Sequence, residues 1–273
     1  MNDIWRLSTS PPAHGAWNMA IDEAILEHVA RGDAPPTLRL YAWQPPTLSL
    51  GRSQPLADVN RAFLREKGWG LVRRATGGRA ILHADELTYA IIAPKENIHV
   101  QGSVLESYRH LAQALLLALK TLGADVQIEG EAERKKAKST PVCFESPSAY
   151  EITINGKKII GSAQARQKGG VLQHGSLPLT GDLTRITQAL VFPDAQSRRA
   201  AAEKLLQRAT TLESALGRKI AWEEASKAFV HAFERVLKVR FKSEEISQAE
   251  MARADELVTE KYAHPQWTAR VRD

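Results

Sequence analysis

Asn155-Gly156 separates two short stretches rich in β-branched residues, Tyr150-Glu151-Ile152-Thr153-Ile154 and Lys158-Ile159-Ile160. Asn-Gly fills the two left-handed positions of a tight turn at little steric cost, so the chain doubles back here as a β-hairpin. Lys168-Gly169-Gly170 turns it again, into Val171-Leu172-Gln173-His174. Further strands are expected at 37–43, 47–50, 70–74, 80–82 and 87–92, with Pro45-Pro46 breaking the first two apart. Strands connected by such short turns pair antiparallel, because a parallel pair needs a crossover of a dozen or more residues.

Between these runs the period changes. Ile21, Ala24, Ile25 and Val29 recur at three- and four-residue spacing, which predicts a helix over 16–31 stopped by Gly32. Asp22 and Glu23 are expected near its positive N-terminal end. A short helix is expected at 58–67, and a long one from Val104 to Leu122 whose stripe is Val104, Tyr108, Leu111, Leu115, Leu119 and Leu122, ended by Gly123. Residues 130–147 have little apolar periodicity and read as a loop. Beyond about 183 the pattern is helical, at 198–208, 221–238 and 246–262. No Gly/Ser/Pro-rich linker and no internal repeat divides the chain. The fold class expected is therefore α+β: a mixed, largely antiparallel sheet flanked by helices, with a helical C-terminal segment. A main unit over 1–240 carries 241–273 as an extension of the same domain.

Composition narrows the chemistry. In 273 residues there is one cysteine, Cys143, so an internal disulfide and a metal site shared by cysteines are both excluded. What remains is an inert thiol or a nucleophile. Arg134-Lys135-Lys136-Ala137-Lys138 precedes it and Lys157-Lys158 follow, and nearby cations favour the reactive thiolate. No signal peptide is recognisable at Met1-Asn2-Asp3-Ile4-Trp5-Arg6, and the strongest apolar run, 112–119, is too short to cross a bilayer. A cytoplasmic protein with no membrane contact is expected. The formal charge of +6 suggests an acidic partner, either nucleic acid or a small acidic carrier protein. Without zinc-finger spacing, an RNP-type strand or a helix-turn-helix, nucleic acid is disfavoured.

Three motifs offer a site. In Arg73-Arg74-Ala75-Thr76-Gly77-Gly78-Arg79-Ala80-Ile81-Leu82-His83, paired glycines allow close approach of a ligand, and three arginines favour a phosphate or carboxylate. The plain alternative is a Gly-Gly hairpin with solvated arginines. No Gly-Lys-Ser/Thr follows, so this is not a Walker loop. In Lys158-Ile159-Ile160-Gly161-Ser162-Ala163-Gln164 the small residues leave room beside the strand, and Lys158 is expected to face that slot. In Leu172-Gln173-His174-Gly175-Ser176-Leu177, His174 is either a base for a Cys-His pair or, like His83, a hydrogen-bonded core histidine. No metal-ligand spacing is present.

Taken in order, these motifs resemble the biotin/lipoate protein ligase and lipoyl-synthesis acyltransferase superfamily, as do Asn18-Met19-Ala20-Ile21-Asp22-Glu23 and Pro46-Thr47-Leu48-Ser49-Leu50-Gly51-Arg52. The likeness covers most of residues 15–250. Within it, Cys143-Phe144-Glu145-Ser146-Pro147-Ser148-Ala149-Tyr150-Glu151-Ile152 is similar to the LipM octanoyltransferases. The resemblance implies a biotin/lipoate protein ligase-like fold and octanoyl transfer from acyl carrier protein to a lysine of a lipoyl-domain protein, such as the glycine cleavage H protein. It implies a thioester on Cys143, Lys158 as the lysine that lowers the thiol pKa, and no metal or cofactor. Arg74, Gly77, Gly78, His83, Gly161, Ser162, Ala163 and His174 would line the acyl tunnel. Arg79 stands where ATP-dependent lipoate ligases commonly have a third glycine, which favours transfer over ligation. A lipoyl-domain amidotransferase fits the Thr76-Gly77-Gly78-Arg79 run less well, and a non-catalytic basic binding module is the remaining alternative. A monomer is expected, since no amphipathic seam is left over.

Overall fold

The computed structural model describes residues 3–129 and 151–271. Cys143 and the expected loop over 130–147 lie outside the described residues. The strands are β1 (Ile4–Thr9), β2 (Thr37–Tyr41), β3 (Thr47–Leu50), β4 (Gly70–Arg73), β5 (Ile81–His83), β6 (Glu86–Pro94), β7 (Val126–Glu129), β8 (Glu151–Ile154), β9 (Lys157–Gln167), β10 (Gly170–Pro178) and β11 (Arg240–Ser243). The helices are α1 (Gly15–Arg31), α2 (Arg61–Lys67), α3 (Val104–Thr121), α4 (Ala195–Arg208), α5 (Leu212–Leu216), α6 (Trp222–Leu237), α7 (Gln248–Leu257) and α8 (Pro265–Thr268).

Eight strands form one sheet in the order β11-β1-β2-β6-β10-β9-β8-β7. β1 runs parallel to β2 and β11, and every other neighbouring pair is antiparallel. Both expected turns are present. Asn155 and Gly156 take φ of 50° and 71° between β8 and β9, and Lys168 and Gly169 take 55° and 83° between β9 and β10. β6 is buried on both faces. Its Leu87, Tyr89, Ile91 and Ala93 join the core beneath α3 and α6, while Ala90 and Ile92 meet α1 on the other face. That two-sided burial is why the stretch reads as almost continuously apolar.

α3 is entered through a capping box, with Ser103 accepting from the Glu106 amide and Glu106 reaching back. Its expected stripe holds from Leu111 to Leu122, but Val104, in the first turn, is 54% exposed. Asp22 and Glu23 are corrected more sharply. They lie in the middle of α1, not in its first turn, and both are buried and ion-paired. The C-terminal third is not wholly helical. β11 joins the sheet beside β1, and α7 packs on α1 while its Glu250 accepts two hydrogen bonds from buried Arg6, at 2.5 and 2.7 Å.

A second sheet of three strands, in the order β4-β3-β5, sits with α2 and α4 around a small core of Leu48, Leu50, Leu64, Ala80 and Leu205. β3 pairs parallel with β4 and antiparallel with β5. The Thr76-Gly77-Gly78 turn therefore carries the chain across β3, and the Gly-Gly hairpin between adjacent strands does not form. Gly51 and Gly78 make this crossing possible. A Cβ on Gly51 would stand 1.9 Å from the Gly78 carbonyl oxygen, and Gly78 has a φ of +94°.

Candidate active site

The small sheet lies over the face of β9 and β10 that carries Gly161, Ala163 and His174. On this face side chains repeat every second residue, so Leu172, His174 and Ser176 of β10 share it. Between the two sheets is a narrow slot with about 410 Å³ of atom-free space, mouth included. Arg74, Gly78, His83, Gly161, Ser162, Ala163 and His174 all line it. Three stretches far apart in sequence are thus brought to one cleft. Gly77 is not in its wall but accepts a hydrogen bond from Arg74 at 2.8 Å.

Among the described residues, Arg73 and Arg74 are buried and donate to carbonyls. Arg74 is buried and donates to the carbonyls of Ser49, Gly77 and Arg79. Arg73 is fully buried and donates to the carbonyls of Gly51, Gln54 and Thr268 at 2.6–2.8 Å. Burial, and then Arg270, lower its pKa. Both guanidinium groups fix the loops that shape the slot, and Arg73, given wholly to carbonyls, does not offer itself to a phosphate or carboxylate as expected.

The histidines are held at both nitrogens. His83 pairs through Nε2 with Ser49 Oγ and through Nδ1 with Glu86 Oε1, each at 2.8 Å. Its ring stacks on Trp43 at 3.9 Å between centroids. Glu86 also accepts from Ser176 and Thr88, and Thr88 accepts from the Trp43 indole at 2.8 Å. His174 meets Thr76 Oγ1 at 2.7 Å and Asp22 Oδ2 at 3.4 Å. Among the described residues both ring nitrogens of His174 have partners, as expected of a hydrogen-bonded core histidine.

Behind His174, Asp22 accepts from Arg39 at 2.7 Å and from the Tyr41 hydroxyl at 2.9 Å. Burial alone would raise the Asp22 carboxyl, but Arg39 and His174 outweigh it and hold it below the usual carboxylate range. Burial holds His174 below the ordinary imidazole value in spite of Asp22. The result is a neutral ring wedged against a charged, buried pair.

Lys158 reaches this side of the sheet through a bulge. Ile152 faces Ile160, yet Thr153 faces Lys158, so β9 carries one extra residue at Ile159. Ile159 and Ile160 both enter the core beneath α3 and α6. Plain alternation would group Lys158 with Ile160 and Ser162; the extra residue returns it to the face of Gly161 and Ala163. Its side chain is 6% exposed, and Nζ donates to Glu151 Oε1 at 2.9 Å. Lys158 lies beyond the slot wall, next to the residue at which the described chain resumes after 150.

Sequence reasoning missed several wall residues: Met19, Tyr41, Trp43, Thr88 and Ser176. Ser176 shares the parity of His174 and was within reach of the two-residue period. Nothing local marks the others, because their exposure to the slot depends on how the small sheet is laid over the large one. Among the described residues, no group of three or more His, Cys, Asp or Glu could hold a metal, and no helix is long and apolar enough to cross a membrane.

Comparison with known proteins agrees with this geometry. The profile of the lipoyl protein ligase A/B catalytic domain family matches residues 14–234. A protein named octanoyltransferase LipM from Moorella thermoacetica is 42% identical over 270 residues, 98% of each chain. The protein of that name from Brevibacillus brevis is 38% identical over 97% of this chain and 99% of its own. Among solved structures, a bipartite lipoate protein ligase from Thermoplasma acidophilum superimposes with a TM-score of 0.82 at 24% identity, covering 100% of this chain and 98% of that one. A lipoate-protein ligase A bound with ATP gives 0.78 at 24% identity, with full coverage of both chains. These two likenesses establish the fold.

Proposed function

The chain belongs to the lipoyl protein ligase A/B catalytic domain family, and from that premise we propose that it moves an octanoyl group from acyl carrier protein to a lysine of a lipoyl-domain protein, with Cys143 as the intermediate carrier. Octanoyl transfer is the activity named for its near-full-length relatives. The observation that carries the reading is the slot. Eight carbons in extended form need a narrow apolar channel, and burying the chain contributes roughly 4–5 kcal/mol at about 0.8 kcal/mol per methylene. Gly161 and Ala163 supply the room, and the bulge at Ile159 puts Lys158 on the same face.

In the first step the Cys143 thiolate attacks the carrier thioester. The carrier thiolate leaves, and one thioester replaces another. The acceptor lysine amine then attacks the Cys143 thioester, the Cys143 thiolate leaves, and the amide that forms drives the transfer. Lys158, as an ammonium, stabilises the thiolate in the first step. As the carrier departs, Lys158 gives its ammonium proton to the leaving thiolate, and in the second step the neutral Lys158 takes the proton that the acceptor amine gives up. The glycine cleavage H protein is the type of acceptor we favour.

Intact mass spectrometry tests this. Octanoyl-carrier and enzyme, without ATP, should give a hydroxylamine-labile adduct at Cys143, and Cys143→Ala should lose both adduct and transfer. Full transfer by that variant rules the mechanism out. Lys158→Ala should slow transfer and raise the pH at which the thiol alkylates. Pyrophosphate exchange dependent on free octanoate would instead mark an ATP-dependent ligase.

A further inference from the structure

The two helices packed on the small sheet carry a local excess of positive charge. α2 carries three cations and one anion, and α4 carries four and one, so together they hold an excess of five, where the whole chain has six. Arg198 and Arg199 are exposed, and among the described residues neither has a carboxylate at ion-pair distance. They border a groove of about 490 Å³ between the helices, with Phe63 and Ala202 in its walls. Lys67 lies 5.6 Å from the Phe63 ring and adds a further cation from α2. Arg199, Ala202 and Leu206 recur at helical spacing, so one face of α4 presents charge and then an apolar side chain, with Leu206 48% exposed.

The inner side of α4 borders the site. Beneath α4, Leu205 lines a recess of about 480 Å³ that shares Ile81 and Ser176 with the slot. A flexible arm entering under α4 would therefore reach the place where the acyl chain lies.

We propose that the α4 face, with the groove against α2, is the docking surface for the acyl donor, a small acidic carrier protein, and that the recess beneath α4 admits its thioester arm. The proposal rests on the octanoyl-transfer reading above and adds where the donor binds. Charge complementarity selects an acidic partner, and the recess between α4 and the slot selects a donor over nucleic acid, which has nothing to deliver there.

The test compares two donors in Cys143 acylation: octanoyl-carrier and the uncharged octanoyl-N-acetylcysteamine. Arg198→Glu/Arg199→Glu should raise KM for the carrier about tenfold or more, reduce its salt dependence and leave kcat little changed. Acylation by the small thioester should stay at the wild-type rate, and Arg198→Lys/Arg199→Lys should behave as wild type with the carrier. An unchanged carrier KM overturns the proposal, as does an equal loss with both donors or salt-sensitive binding of a single-stranded oligonucleotide that the same substitutions abolish while carrier kinetics hold. If wild-type enzyme forms no adduct with either donor, the transfer reading itself has failed, and the docking proposal with it.

Discussion

Replacing Asp22 by Asn is the most searching perturbation of the site, because it keeps the shape and removes one charge. Asp22 and Arg39 are each 1% exposed, so water screens neither. Arg39 would keep its bonds to Asn18 and Ser10. It would lose its counter-charge, and removing one partner of a buried pair costs about 3–5 kcal/mol. Unfolding entropy of about 2.1 cal/mol/K per residue, over 273 residues, gives about 0.6 kcal/mol per kelvin. Asp22→Asn should then lower Tm by about 5–8 °C in scanning calorimetry. Asp22→Asn/Arg39→Met removes both charges and should cost less than the two single changes added together. His174 gives an independent reading. Asp22 is what pushes its pKa upward against burial, so its imidazole resonances should titrate at still lower pH in Asp22→Asn. A Tm within 1 °C of wild type, or strictly additive changes in the double variant, would refute the claim that a buried ion pair anchors the slot wall.

Three other outcomes follow from the same structure. Gly51→Ala drives a methyl into the Gly78 carbonyl, 1.9 Å away, and should cost about 3 kcal/mol, the upper end for overpacking, by urea denaturation; a neutral result would mean the Thr76–Gly78 crossing is not held against β3. The unfolded chain protonates His174 at its ordinary value near 6.5, while the folded protein resists. Stability should therefore be full above that pH and fall as the pH drops through the lowered folded value, with His99 and His110, also held low by burial, adding to the slope. His174→Gln should flatten that slope, and an unchanged slope would remove His174 from it. Shortening the acyl chain below eight carbons should lower kcat/KM for Cys143 acylation about fourfold per methylene, at about 0.8 kcal/mol each; a flat series would mean the chain does not lie in the slot.

Much of this molecule is legible locally. The Asn155-Gly156 and Lys168-Gly169 turns, the spacing in α1 and the stripe from Leu111 to Leu122 are governed by φ and by side-chain period, which a few neighbouring residues decide. The motifs at 74–83, 161–163 and 174 likewise carry the likeness to the family, since each keeps its order along the chain. β1, β7 and β11 escaped a local reading. β1 and β11 pair with each other across more than two hundred residues, and edge strands as short as four residues leave little pattern. Arg73 and Arg74 look like anion binders in a linear motif and prove to be bound to carbonyls contributed by Ser49, Gly51, Gln54 and Thr268. Asp22, Glu23 and Glu86 show no sign in the sequence of being buried, because their partners come from elsewhere in the fold.

The sequence by itself settled the hairpins, the long helices, the single thiol and the family, for these depend on backbone preference and residue identity at fixed offsets. The tertiary structure decided which residues line a common slot, which charges are neutralised inside, and which face Lys158 takes. One extra residue in β9 makes that last choice, and a bulge is visible only once the partner strand supplies a register to compare it with.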